Sequence, residues 1–332
     1  MSASSLLSRL KPDGFTVALL LVVVLASLMP ASGQAATVLG VVTDIAIGLL
    51  FFMHGAKLSR QAILAGAGHW RLHLLILGST FAIFPVIGLA VGLLPQALVP
   101  HDLALGLLFL CILPSTVQSS IAFTSMAGGN VAAAVCAASA SNLLGIFLTP
   151  ALAYLLMGLQ GAGGSDFGGA VRSIVMQLLV PFIAGHLARP WIGGIIDRHR
   201  QALMLTDRSS ILLVVYGAFS AAVIEGLWSR LGARDLAVMV VLDILILAVA
   251  LVVTTGLSRR LGFAREDEIT AVFCGSKKSL VSGVPMAGVL FSPAMVGPML
   301  LPLMIFHQIQ LMVCAVLARR YAAKGAEKIA QG

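Results

Sequence analysis

Residues 111–120 read CILPSTVQSS, a stretch in which a long apolar run meets a proline and then several polar side chains. Pro114 removes a backbone donor and clashes with the preceding turn, so a helix kinks or breaks there. The polar side chains that follow it are Ser115, Thr116, Gln118, Ser119 and Ser120. Two interpretations are open: a kink whose serines bond back to their own helix, or a polar pocket at a broken helix.

The sequence around this stretch is that of a membrane protein. Of its 332 residues, 59% are hydrophobic and 10% are charged, and the mean hydropathy is +1.03. An ordinary soluble domain has about 25% charged residues. A spanning helix takes about 20 mostly apolar residues, so the chain has room for roughly ten. Apolar and polar residues do not alternate as in a transmembrane barrel, and we therefore predict an all-α polytopic membrane protein.

Ten apolar runs can be followed along the chain. They cover approximately residues 14–31, 37–56, 72–95, 103–126, 130–157, 169–190, 209–228, 235–257, 266–291 and 294–318. The glycine-rich segment 161–164, near the midpoint, is the best candidate for a linker. We predict a first five-helix repeat in residues 1–160, a second, inverted repeat in 165–322 and a cytoplasmic tail in 323–332.

The basic residues give the expected orientation. Most of the 21 Lys and Arg residues fall on one side of the membrane, at the chain ends and in the even connectors, whereas the other side has only Arg172, Arg230 and Arg234. By the positive-inside rule, both termini are cytoplasmic and the number of spans is even. A cleaved signal peptide over the first run is the alternative, but that run is long for one.

A second polar interruption, CGSKKS, occupies residues 274–279 of the ninth run. Both interruptions fall in the fourth run of their half, which is the pattern of an inverted repeat. Lys277 and Lys278 lie about 18 Å along a helix that begins at Arg265. A lysine at the membrane centre costs at least about 2.5 kcal/mol. Either both side chains snorkel to the interface or, as we favour, at least one faces a functional cavity.

Other polar residues lie within neighbouring apolar runs. We expect Asp243 in the eighth run to pair with Lys277 or Lys278, because a carboxylate at this depth needs a partner; an unrelated packing role is the alternative. Three further residues could support the site, or serve only to hold helices together: Asn142, His307 and Gln308.

No catalytic or cofactor motif accompanies these features. The sequence has no P-loop, zinc-protease signature or nucleophile elbow, so we expect no enzyme. The cysteines fall inside apolar runs, where a free thiol is usually a small buried hydrophobe. Because the basic residues are scattered among the connectors, we expect lipid and a small solute as partners, and no nucleic acid.

Several motifs resemble the bile acid:sodium symporter superfamily over essentially the whole chain. They are FFMHGA at residues 51–56, GNVA at 129–132 and LTP at 148–150. The more specific motifs, GSKKSL at 275–280 and FHQIQL at 306–311, resemble its bacterial SBF-like branch.

The resemblance implies a ten-helix inverted-repeat fold in which helices 4 and 9 are broken and cross near the midplane. A core domain of spans 3 to 5 and 8 to 10 would move against a panel of spans 1, 2, 6 and 7. Sodium-coupled members hold their ions behind the crossing, where Ser119 and Ser120 match ion-contacting positions.

Four positions depart from the sodium-coupled pattern. Ala134 and Ala138 stand where such relatives tend to have hydroxyls, and Ser276 and Leu280 stand where they have a sodium-binding glutamate and a glutamine. A fixed ammonium can replace a bound cation electrostatically, so the coupling ion stays open between Na⁺ and H⁺.

The sequence thus predicts a secondary transporter of a small organic anion in the cytoplasmic (inner) membrane, working by alternating access. The predicted site comprises Thr116, Gln118, Ser119, Ser120, Ser276, Lys277, Lys278 and Ser279. Two alternatives are a non-transporting membrane regulator that keeps the fold, and a proton-coupled or uncoupled transporter in which lysine replaces sodium.

Overall fold

The computed structural model describes residues 14–57, 68–158, 172 and 175–331, and all the regular secondary structure in these residues is helical. The principal helices are α1 Gly14–Leu28, α2 Gly33–Lys57, α3 Trp70–Gly92, α4 His101–Ile112, α5 Gln118–Met126, α6 Val131–Leu156, α7 Val180–Arg198, α8 Arg200–Ile224, α9 Leu227–Arg230, α10 Ala233–Arg260, α11 Arg265–Gly275, α12 Leu280–Leu290 and α13 Pro293–Gln331.

Seven helices in the described residues are long and apolar enough to cross a membrane. They are α2, α3, α6, α8, α10, α13 and α7 together with the π-helical turn Val175–Leu179 before it. Their outer surfaces carry large apolar side chains such as Leu187, which is 61% exposed, and Val252, which is 71% exposed. Such a surface is unfavourable in water and suited to lipid. The prediction of an all-helical, multi-pass membrane protein is confirmed.

Both predicted interruptions are present as breaks between helices. α4 ends at Ile112 and α5 begins at Gln118, while α11 ends at Gly275 and α12 begins at Leu280. At the first break Leu113 is extended, with φ −74° and ψ 156°. Each break therefore replaces about one helical turn of backbone hydrogen bonds with polar groups that need other partners.

Close helix packing depends on glycine at two crossings. In α2 and α7, Gly55 lies against the carbonyl of Phe182 and Gly185 lies against the carbonyl of Phe52, so neither position has room for a Cβ. At the first break, a Cβ on Gly145 of α6 would lie 2.8 Å from the Cβ of Pro114. Small residues let membrane helices approach in this way.

The predicted linker and the predicted C-terminal tail can be compared with the structure to different extents. The predicted linker at residues 161–164 lies outside the described residues. The predicted tail, residues 323–332, continues α13 as helix as far as Gln331.

Candidate functional site

The two breaks contact each other directly. The backbone N–H of Ser279 donates to the carbonyl of Pro114 at 2.9 Å, and Ser115 Oγ donates to the carbonyl of Cys274 at 2.6 Å. Ser120 Oγ adds a bond to the Phe273 carbonyl at 2.9 Å. Polar side chains that follow Pro114 therefore form hydrogen bonds with the backbone at the other break.

All five carbonyl groups from Cys111 to Ser115 have donors from elsewhere in the chain. The donors are Lys278 Nζ for Cys111 and Leu113, Thr149 Oγ1 for Ile112, the Ser279 N–H for Pro114, and Asn142 Nδ2 for Ser115. Broken backbone at membrane depth is tolerated only where protein or a wet cavity satisfies it. In this break, protein groups satisfy all five of these carbonyls.

Lys278 is a structural cation at the end of α4. Its ammonium donates to the carbonyls of Thr80, Cys111 and Leu113 at 2.8, 2.8 and 2.7 Å. An ammonium has three donors, so all are used. The Nζ atom also lies 4.1 Å from the ring centroid of Phe84. The positive charge of Lys278 compensates the partial negative charge at the carbonyl end of α4. In this state the ammonium has no donor left for a solute.

The carbonyl of Thr80 is available to Lys278 because of a local irregularity in α3. Residues Ser79–Ile83 form a π-helical turn, in which the N–H of Phe84 bonds to the carbonyl of Ser79. The next N–H in this register would belong to Pro85, which has none. Thr80 therefore keeps a free carbonyl that faces the ammonium.

Gln310 of α13 holds the backbone of the second break. Its Oε1 accepts from the N–H of Lys278 at 2.9 Å, and its Nε2 donates to the Lys278 carbonyl at 2.9 Å. The same Nε2 lies 2.9 Å from His307 Nδ1. Of the polar residues of α13, Gln310 thus contacts the break, while His307 supports Gln310; Gln308 is half-buried beside them.

Lys277 is placed differently from its neighbour. Its Nζ donates to Ser119 Oγ at 3.2 Å, which is the one hydrogen bond of this ammonium among the described residues. It lies 4.6 Å from the ring centroid of Phe123 and 5.9 Å from that of Phe273. Ser119 is in the first turn of α5, whose N-cap, Val117, provides no side-chain bond. A lysine charge and the positive end of a helix therefore converge there.

A chain of hydroxyls runs from Lys277 to Ser120, which bonds to the Phe273 carbonyl of α11. Ser119 Oγ donates to Thr116 Oγ1 at 2.8 Å, and Thr116 Oγ1 lies 2.8 Å from Ser120 Oγ. The structure therefore links three of the predicted residues to the Lys277 ammonium: Ser119 directly, and Thr116 and Ser120 through Ser119. Gln118 precedes Ser119 in the sequence and exposes its side chain.

The side chains of the remaining predicted residues form hydrogen bonds with backbone groups in and around the breaks. Ser276 Oγ donates to the Val272 carbonyl of its own helix at 2.6 Å. Ser279 is the N-cap of α12, where its Oγ accepts from the Ser282 N–H at 3.1 Å. Asn142 joins the breaks, since it bonds to Ser115 and its Oδ1 accepts from Ser282 Oγ at 2.5 Å.

The structure excludes the alternative that both lysines snorkel, and it contradicts the expected pairing of Asp243. Both lysine side chains are 0% exposed, so neither snorkels to the membrane surface. Asp243 forms no ion pair with them: it is fully buried, and neither carboxylate oxygen has a hydrogen-bond partner among the described residues. The reason is that backbone carbonyls take all three donors of Lys278, while Lys277 faces α5 instead of α10.

Sequence reasoning missed three residues that hold the breaks. Ser79 donates to the Gly275 carbonyl at 2.8 Å, and the others are Thr80 and Thr149. Their common signal is a polar residue inside an apolar run. The pair Ser79-Thr80, six and five residues before Pro85, carried the strongest such signal.

The amino-acid sequence that forms these two breaks matches a known protein family. The model of the SBF-like CPA transporter family (DUF4137) matches residues 13–323. The chain belongs to this family. As an SBF-like transporter it is a transport protein and not an enzyme, as the sequence predicted, and the resemblance to the bile acid:sodium symporter superfamily is confirmed.

Relatives of this SBF-like chain are similar over nearly their whole length. "Uncharacterized protein PA2026" of Pseudomonas aeruginosa is 61% identical, with 95% of each chain covered. "Putative symporter YfeH" of Escherichia coli K12 is 58% identical over 93% of this chain and 92% of the relative. "Sodium/bile acid cotransporter 7" of Danio rerio is 26% identical over 94% of each chain.

Proposed function

We propose that this SBF-like protein is a secondary transporter that carries a small organic anion across the cytoplasmic membrane. The observation that carries the proposal is Lys277, a fully buried ammonium with one hydrogen-bond partner among the described residues, placed at the first turn of α5. Half-helix N-termini in transporters point at anionic groups of the substrate. Two donors of Lys277 are left for such a group.

The proposed architecture has ten spans in two inverted five-helix repeats, with each broken pair counted as one span. The first repeat is α1, α2, α3, the α4–α5 pair and α6; the second is α7, α8, α10, the α11–α12 pair and α13. The asymmetry of Lys and Arg supports cytoplasmic termini. This arrangement makes each broken pair the fourth span of its repeat.

The proposed movement keeps the two breaks together. Because their backbones bond to each other and to Asn142 and Gln310, separating them would leave several buried polar groups unpaired. We infer that the broken pairs, with α3, α6, α10 and α13, move as one body against α1, α2, α7 and α8. Such rocking of one bundle against another gives alternating access.

We further propose that Lys278 takes the place of a coupling sodium ion. Unwound carbonyls and half-helix C-termini are the groups that bind sodium in transporters, and here three carbonyls bind the ammonium. Ala134 and Ala138 are both fully buried and add no hydroxyl ligand. Transport is then driven by protons or by the solute gradient, although the relative from Danio rerio is named for sodium.

Uptake into proteoliposomes tests this function. Radiolabelled pyruvate, succinate and cholate are the probes, with a sodium gradient, a proton gradient or neither imposed separately. Lys277→Ala removes the proposed solute contact, and Arg319→Ala, an exposed change on α13, is the matched control. We expect uptake of at least one anion without sodium, lost in Lys277→Ala and kept in the control.

Two results would overturn parts of the proposal. Sodium-dependent uptake that survives Lys277→Ala would defeat both the anion site at Lys277 and the replacement of sodium. Uptake equal to that of empty liposomes for every anion would defeat anion transport itself.

A further inference from the structure

A groove of about 720 Å³ runs along the outer surface between α10 and α13. Its lining residues are Leu251, Val252, Thr255, Gly256 and Arg259 from α10, and Met312, Val313, Val316, Leu317 and Arg320 from α13. The two sets have the same spacing along their helices. Each wall is therefore one helix face that is apolar along most of its length and ends in an arginine.

The walls have the dimensions of a lipid chain segment. From Leu251 to Arg259 a helix rises about 12 Å, and half of the hydrocarbon core is about 15 Å thick. Val252 is 71% exposed and Val316 is 47% exposed, so the walls face the surroundings of the protein. At Gly256 a Cβ would meet no atom within 4 Å, which leaves an open space in the groove.

The arginine end of the groove is positively charged. Arg259 donates Nε and one Nη to Glu268 at 3.1 Å each, and its side chain is still 66% exposed. Arg320 is exposed and forms no ion pair with any described residue. The two lining guanidinium groups are therefore offset by one paired carboxylate, that of Glu268 on Arg259, and together these three groups carry a net positive charge.

We propose that this groove binds an anionic phospholipid, with its phosphodiester at Arg259 and Arg320 and one acyl chain along the apolar walls. Basic sites between transmembrane helices bind anionic headgroups in this way, and arginine suits phosphate because its donors form a fork. The site is separate from the Lys277 site. The proposal rests on the proposed function in one respect: the proposed orientation places the arginine end of the groove in the cytoplasmic leaflet.

Native mass spectrometry and thermal unfolding in detergent test the proposal on the full-length protein. The probes are phosphatidylglycerol, phosphatidylcholine with the same acyl chains, and inorganic phosphate. Arg320→Gln removes one charge at the groove, and its control is Arg319→Gln on the neighbouring exposed arginine outside the groove. Gly256→Leu fills the open space, and its control is Gly40→Leu on α2, where a Cβ also meets no atom within 4 Å.

We expect phosphatidylglycerol to bind and to raise the unfolding midpoint, and phosphatidylcholine and phosphate to do neither. Arg320→Gln should weaken phosphatidylglycerol binding about fivefold, as the loss of one basic contact predicts, and Gly256→Leu should also weaken it. Both controls should bind as the wild type does.

Three results would overturn the proposal. They are equal binding of both phospholipids, equal losses in Arg319→Gln and Arg320→Gln, and a dimer that Gly256→Leu dissociates, which would assign the groove to a second copy of the chain. None of these results depends on whether the protein transports an anion, so the lipid site and the proposed function fail separately.

Discussion

Lys278 Nζ lies 2.7 Å from the carbonyl oxygen of Leu113, so a charge from the second break closes the helix end opened at the first. The contact is reinforced from the backbone, because the N–H of Ser279 bonds to the carbonyl of Pro114 at 2.9 Å. The second break thus provides hydrogen-bond donors for carbonyls that the first break leaves without helix partners. The two lysines differ accordingly: Lys278 uses all three of its donors within the fold, whereas Lys277 uses one within the part of the chain that the structure describes.

Replacing Lys278 should destabilise the protein. Lys278→Met keeps most of the volume but leaves the carbonyls of Thr80, Cys111 and Leu113 without this donor. Burying unpaired polar groups costs about 1–3 kcal/mol each, so we expect a loss of at least about 3 kcal/mol. Thermal unfolding in detergent measures it, and an unchanged midpoint would show that these bonds do not support the fold.

Replacing Lys277, unlike replacing Lys278, should abolish uptake without lowering stability. Lys277→Met removes a buried charge that has one hydrogen bond, and Ser119 keeps its bond to Thr116. Burying a charge without an opposite charge beside it is costly, so an apolar side chain of similar size should be tolerated there. We expect an unfolding midpoint at or above that of the wild type together with loss of anion uptake. A fall in stability matching that of Lys278→Met would contradict the division of roles.

Asp243 should be replaceable without loss of stability. Its carboxylate oxygens have no hydrogen-bond partner among the described residues, so Asp243→Asn breaks no hydrogen bond of this side chain. Asp267→Leu is the comparison, since it removes the oxygen that accepts from Asn130 Nδ2 at 3.0 Å. We expect the midpoint to fall only in Asp267→Leu.

The same variant tests the absence of an ion pair. The effects of Asp243→Asn and Lys277→Met on stability should add to within about 0.5 kcal/mol, as for sites without a direct contact. A double variant more stable than the sum of the single changes predicts would restore the pair that the sequence suggested.

The crossing of α2 and α7 should not tolerate alanine. In Gly55→Ala or Gly185→Ala the new Cβ would overlap the carbonyl of Phe182 or Phe52, so the helices must separate. Overpacking of this kind costs about 3 kcal/mol. Gly40→Ala, also on α2 but with open space around it, should be neutral or stabilising by up to about 1 kcal/mol. Thermal unfolding of the three variants distinguishes packing from a general effect of glycine.

Proline and polar interruptions in an apolar run are local features, and local features are what sequence reasoning detected. Pro114 marks the first break because its ring excludes helix hydrogen bonding at that residue. The segment 274–279 marks the second because consecutive lysines are costly in lipid unless they are buried among partners. The partners themselves were not visible, because residues such as Thr80 and Thr149 act from helices far away in the chain.

The sequence by itself determined the membrane class, the family and the positions of both breaks, since hydropathy, proline and charge act over a few residues. Only the tertiary structure decided which lysine serves the fold and which keeps free donors, because adjacent side chains leave the backbone in different directions and the helices they meet decide their bonds. It also left Asp243 without a hydrogen-bond partner among the described residues, because the carbonyls of Thr80, Cys111 and Leu113 accept all three donors of Lys278.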